Sequence, residues 1–248
     1  MYRAVFLDID GTLLNTKSQL EEETIEYINR LQNKGIIIGL ASGRSLEASI
    51  IYGNRINCSY YVTYNGSLVF QNKKVIHDVK IPSKIAYRLC SKTAEYGGNY
   101  IHFSYHSSMS NNPLYEEDLL PFAQKADNIL ATNSDAHRIT ILVDPKNSID
   151  IMKMVQDEYA FQEGSRIEVY PRCSKWTGIK SIIQSNGIQP KEVLTIGNGI
   201  NDIEMIESSG LGIAMGNAPD YLKKKADMVV EDNDNFGVVK ALQKVFML

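Results

Sequence analysis

The chain has 248 residues, 44% hydrophobic and 22% charged, a balance with ample material for a large core, so disordered and low-complexity classes are excluded. Its 26 Lys+Arg against 29 Asp+Glu leave a formal net charge of −3, with no basic excess to recommend a nucleic-acid backbone or an anionic membrane as partner. The three cysteines, Cys58, Cys90 and Cys173, are far apart and odd in number, and the apolar runs fall far short of the roughly 18 residues of a membrane span, so a reducing, cytoplasmic setting is expected.

Val5 to Leu7 continue an apolar run that ends at Asp8, and Ser18-Gln19-Leu20-Glu21 predicts a capping box that opens a helix. Leu20, Ile25, Ile28 and Leu31 give that helix an apolar face, and Gly35 stands where a C-terminal glycine is wanted. Ile36 to Leu40 read as a parallel strand buried on both faces. A polar turn at Ser42-Gly43-Arg44, a short helix and the strand Tyr60 to Thr63 complete a βαβ pattern. Leu68 to Phe70 and Val75 to Ile76, joined by Gln71 to Lys74, predict an antiparallel hairpin, and a domain boundary is placed at Pro82. The next ninety or so residues contain helix candidates at Ile85 to Tyr96 and Ile149 to Tyr159 and strand candidates at Tyr100 to Phe103, Ile139 to Val143 and Ile167 to Tyr170, enough for a small α+β unit. From Lys175 the βα rhythm returns: a helix from Thr177 to Asn186 closed by Gly187, a strand from Val193 to Ile196 leading to a glycine-rich turn, and strands at Leu211 to Ala214 and Met228 to Val230. The expected fold is therefore α/β, a doubly wound, Rossmann-like parallel-sheet core of residues 1–82 and 173–248 with an α+β insertion of residues 83–172.

Asp8-Ile9-Asp10-Gly11-Thr12-Leu13-Leu14 falls just past the carboxyl end of the first strand, the edge where open α/β sheets bind ligands. Two carboxylates at i and i+2 suit phosphoryl transfer: one can attack phosphorus, the other can exchange a proton with the bridging oxygen, and both can help hold Mg²⁺. Asp and Gly also build plain turns, so this motif alone leaves both readings open.

Five segments in register across essentially the whole chain resemble the haloacid dehalogenase-like phosphatase superfamily, in its Cof-type branch with a large α/β cap inserted after the third core strand. They are DIDGTLL from Asp8, LASGR from Leu40 to Arg44, Ser174-Lys175, Gly197-Asn198-Gly199-Ile200-Asn201-Asp202, and Ala214-Met215-Gly216-Asn217-Ala218. The resemblance implies Asp8 as the nucleophile that forms an aspartyl-phosphate and Asp10 as the general acid/base. It implies a phosphate site of Thr12, Ser42, Gly43, Lys175 and Asn201, and Mg²⁺ held by Asp8, Asp10, Asn198 and Asp202, with the Asp10 backbone carbonyl as the donor and Asp202 acting directly or through water. Ser42 also suits a simple helix N-cap, a role compatible with anion binding.

Two positions depart from that pattern. Asn198 stands where relatives carry an aspartate that ligates Mg²⁺, and an amide oxygen supplies a donor without the charge, so weakened metal affinity is expected. The Asn198-Gly199 dipeptide is also of a deamidation-prone type that could restore the carboxylate. Trp176 replaces the usual glycine after the motif lysine and puts the backbone path there in question. In the insertion, Tyr100, His102, Phe103, Tyr105 and His106 either line a leaving-group pocket or pack a strand face, and the two histidines have no partner at metal-ligand spacing. Lys223-Lys224-Lys225 reads as a solvated helix end. The expected activity is a cytoplasmic, Mg²⁺-dependent phosphomonoesterase of a small phosphorylated metabolite such as a sugar phosphate, nucleotide or cofactor phosphate, with homodimerisation left open. The alternatives are a phosphotransferase or phosphomutase on the same fold, and a metabolite-binding protein whose catalysis Asn198 has impaired.

Overall fold

A computed structural model describes residues 1–105, 108–112, 123–125, 134–155 and 159–247. All four residues of β1 (Ala4–Leu7) are buried, as an unbroken apolar strand in a parallel sheet requires. Helix α1 (Glu22–Asn33) follows, then β2 (Ile37–Ala41), α2 (Leu46–Arg55), β3 (Tyr60–Thr63), β4 (Leu68–Gln71) and β5 (Lys74–Asp78). The start of α1 corrects the sequence reading: the Asn15 side chain accepts from the N–H groups of Lys17 and Gln19, and Ser18 sits in that turn at φ 58°, so Glu21 is the N-cap and Ser18 is not. Likewise Ser45, accepting from Ala48 N, caps α2 in place of Ser42. The β4–β5 hairpin turns through Asn72 and Lys73, both at positive φ, the backbone twist that favours two-residue hairpins.

The inserted unit contains α3 (Ser83–Glu95), β6 (Asn99–Phe103), β7 (Ser108–Ser110), β8 (Ala123–Lys125), β9 (Arg138–Leu142), α4 (Pro145–Met154), β10 (Tyr159–Glu163) and β11 (Arg166–Tyr170). Its sheet runs β10-β11-β9-β6-β7-β8, antiparallel except for β7–β8. Here α4 begins and ends earlier than the expected 149–159, because Asp144 caps it through Lys146 N and Pro145 supplies its first turn, while Tyr159 already belongs to a strand. Ile81 pairs with Ala136, which draws the chain into this unit before the boundary expected at Pro82. His106 lies outside the described residues; His102 is fully buried on β6 and its ring Nε2 donates to Ser134 O at 3.0 Å.

The chain then adds α5 (Lys175–Ser185), β12 (Val193–Gly197), α6 (Ile203–Ser208), β13 (Leu211–Ala214), α7 (Asp220–Lys223), β14 (Met228–Val229) and α8 (Gly237–Phe246). Two compact units result, Met1–Asp78 with Ser174–Leu248, and Val79–Cys173. The large sheet runs β14-β13-β12-β1-β2-β3-β4-β5, parallel from β14 to β3 and antiparallel thereafter. Ala4 and Phe6 pack against Ile179, Ile182 and Ile183 of α5 and Met205 and Ile206 of α6, and by strand alternation Val5 and Leu7 face the opposite layer. There α1 lies against β2 and α8. Among the described residues no helix is long and apolar enough to cross a membrane.

Candidate active site

Leu7 pairs with Ile196 on one side and with Leu40 on the other, so β12, β1 and β2 end together at one sheet edge. The residues that leave this edge are Asn198, Asp8 and Ser42. The Asp8 N–H still donates to Ile196 O at 3.0 Å, after which Gly11, at φ 73°, turns the chain across the strand ends.

Lys175 reaches the same edge from the first turn of α5, where Ser174 and Thr177 form a reciprocal capping box. Trp176 packs into the core beneath, which settles the backbone path left in question. Gly66, at φ 99°, is what lets the β3–β4 corner close on this turn, since a Cβ there would lie 1.9 Å from Ser174 O. Lys175 is 0% exposed, and its Nζ donates to Asp8 Oδ1 at 2.5 Å and to Asp202 Oδ1 at 2.6 Å. Burial draws the ammonium down, but the two carboxylates together outweigh it and hold Lys175 above its ordinary value. Burial pushes the Asp8 carboxyl up, to about 7, with Asp202 and Asp10 adding to the rise and Lys175 pulling against it.

Asp202, expected as a metal ligand directly or through water, has both oxygens hydrogen-bonded within the protein. Oδ1 holds Lys175, and Oδ2 accepts from the backbone N–H groups of Asn198 at 2.9 Å and Gly199 at 2.8 Å. It is a brace that fixes the lysine and the Asn198 loop. The same bond holds the Gly199 nitrogen that would have to attack the Asn198 side chain for a cyclic imide to form, which works against deamidation.

The Asp10 carboxylate is gripped by Arg44, whose Nε donates to Oδ2 at 2.8 Å and whose Nη2 donates to Oδ1 at 2.6 Å. The guanidinium also lies 5.3 Å from the centre of the Tyr52 ring. Ser42 is buried, and its Oγ accepts from Arg44 N at 3.2 Å. Gly43 lies between them in the same turn. Asn201 Nδ2 donates to Asn65 Oδ1 at 3.0 Å, and Asn217 Nδ2 donates to Gly11 O at 2.9 Å. Arg44, Asn65 and Asn217 thus join a set in which the sequence reading gave them no role; the LASGR and AMGNA segments contain two of them, but only the fold shows their partners.

Asn198 meets Thr12 across the loop, with Thr12 Oγ1 donating to Asn198 Oδ1 at 3.1 Å. In this orientation Oδ1 also faces Asp10 O and Asp8 Oδ2 with no hydrogen between them, and three oxygens converge. With the amide turned over, its nitrogen lies 2.8 Å from Asp10 O, 3.1 Å from Asp8 Oδ2 and 3.1 Å from Thr12 Oγ1, and its two hydrogens can serve the carbonyl and the carboxylate. Cis oxygens around Mg²⁺, with bonds of about 2.1 Å, lie about 3 Å apart, so the carbonyl-inward set fits a small divalent cation. Among the described residues no group of three or more His, Cys, Asp or Glu is arranged to hold a metal.

A family model described as haloacid dehalogenase-like hydrolase matches residues 5–242. A Haemophilus influenzae protein named "Putative phosphatase" is 29% identical over 260 residues, covering 99% of each chain. The 5-amino-6-(5-phospho-D-ribitylamino)uracil phosphatase of Bacillus subtilis is 24% identical, covering 97% of this chain and 94% of its own. The crystal structure of a haloacid dehalogenase-like hydrolase from Bacteroides thetaiotaomicron superposes with a TM-score of 0.90 at 25% identity, covering 99% of this chain and all of the other.

Proposed function

The chain belongs to the haloacid dehalogenase-like hydrolases, and on that premise we propose that it is a cytoplasmic, Mg²⁺-dependent phosphomonoesterase of small phosphorylated metabolites. The observation that carries this reading is the convergence of Asp8, Lys175 and Asn198 at one sheet edge, with Asp10 two residues beyond the nucleophile. Asp8, Asp10 and Asp202 set three negative charges against the two positive charges of Lys175 and Arg44, an imbalance that suits a bound cation. That cation would be held by Asp8 Oδ2, Asp10 O and Asn198 Oδ1, and when bound it supplies positive charge beside the phosphoryl oxygens.

The Asp8 carboxylate attacks phosphorus as the ester P–O bond breaks, and Asp10 delivers a proton to the departing alcohol. Asp10 then takes a proton from water, whose oxygen attacks the aspartyl-phosphate; inorganic phosphate leaves and Asp8 is regenerated. Lys175 keeps its charge against the phosphoryl oxygens, where fixed cations count most. Arg44 bonds both oxygens of Asp10 once each, leaving one lone pair on each for proton exchange, and its charge favours the ionised form that accepts the proton from water. The named Bacillus subtilis relative supports a phosphorylated metabolite as the substrate class, and the absence of a disulfide among Cys58, Cys90 and Cys173 suits a reducing compartment. On a panel of phosphate monoesters the protein should release inorganic phosphate only with Mg²⁺, and Asp8→Asn should abolish release. Phosphate released by Asp8→Asn, or phosphate delivered to an added sugar in place of water, would overturn the reading.

A further inference from the structure

We propose that the Asn198 amide is a built-in substitute for the cation: without metal its nitrogen turns inward to Asp8 Oδ2 and Asp10 O, and the metal binds only as the amide reverses to present Oδ1. This rests on the cation site assigned above and concerns what this chain does where its relatives carry a carboxylate.

Three observations carry it. The inward end of the amide lies within 3.1 Å of Asp10 O and Asp8 Oδ2, two oxygens that only accept, so the two hydrogens of the nitrogen satisfy both without a cation and the oxygen suits them only with one. The outward end lies against Gly11, where a Cβ would come within 2.4 Å of the amide nitrogen, so the absence of a side chain leaves room for the amide to turn over. The Asn198 backbone is fixed, its N–H bonded to Asp202 Oδ2 at 2.9 Å, so the reversal is a rotation of the side chain alone. An aspartate at this position cannot donate. Without metal it would set another carboxylate against Asp8; with metal it would add a charge that the amide lacks.

The test is thermal unfolding of the full chain and of Asn198→Asp, in EDTA and across a titration with Mg²⁺ alone. In EDTA the variant should melt roughly 2–4 °C below the parent. Under Mg²⁺ its melting temperature should rise further than the parent's, with half-maximal stabilisation at about tenfold lower Mg²⁺. A variant as stable as the parent in EDTA, or an equal Mg²⁺ response in both, overturns the proposal. A second readout uses only the parent chain: with ¹⁵N-asparagine labelling, the Asn198 side-chain N–H₂ should exchange slowly with solvent in EDTA and faster with Mg²⁺. Exchange that Mg²⁺ leaves unchanged overturns the proposal even if the aspartate variant does not fold. Neither readout involves a substrate, so failure to release phosphate with these patterns intact would remove the phosphatase reading alone.

Discussion

Arg44 and Asp10 form a two-point contact between a fixed fork and a carboxylate, and the fork gives that contact its geometry. Lysine would keep the charge and lose the second point. Arg44→Lys should therefore lower kcat for phosphate release by about tenfold, a fraction of the 10²–10⁴ that a general acid/base supplies, with KM changed less. An unchanged kcat would show that Asp10 does not depend on this grip. The meeting of Asp8 with Lys175 was legible because the order of their segments along the chain carries it. The role of Arg44 was not, since its partner lies in a different turn. The use of Asp202 as a brace was also hidden, because residue type does not reveal which lone pairs are already spent on Lys175 and on two backbone N–H groups.

The elements that support these residues depend on a few close approaches. At Gly66 a side chain would need both a strained φ of 99° and space already occupied by Ser174 O. Gly66→Ala should cost about 2–4 kcal/mol of stability in denaturant unfolding, and should depress phosphate release by displacing the turn that bears Lys175. A loss under about 0.5 kcal/mol, the scale of an ordinary surface change, would contradict this account of the corner. The apolar strands β1, β2 and β12 were readable from continuous hydrophobic runs, since burial on both faces leaves no other pattern. Helix ends were less so. Asn15 captures two N–H groups and pulls Ser18 out of the helix, and Asp144-Pro145 starts α4 ahead of its apolar face. In each case a short polar side chain competes for backbone donors that periodicity does not register.

At the scale of the whole molecule, histidines in both units are sensitive to acid, with burial also holding His77 of the larger unit below its ordinary value. In the unit Val79–Cys173, burial holds His102 below its ordinary value of 6.5, with nearby His137 in the same direction and the bond to Ser134 O and the charge of Asp135 acting against it. Its Nδ1 is buried without a partner. A base whose pKa is depressed by folding takes up its proton more readily when unfolded, so its contribution is full above pH 6.5 and is lost as the pH falls below that value. Melting of this unit should shift down between pH 7.5 and pH 5.5, and His102→Gln should flatten the dependence. An identical pH response in that variant would remove His102 as its source.

The central position of β1 also has a consequence for biosynthesis. Ala4 is matched on one flank by Ile37, close behind it, and on the other by Val193, which follows only after the whole insertion has been made. At 5–20 residues per second the nascent chain spends on the order of ten seconds with that second flank uncovered. A ribosome stalled anywhere in the insertion would thus present a bare apolar strand edge, the kind of surface that chaperones hold and that truncated products use to aggregate.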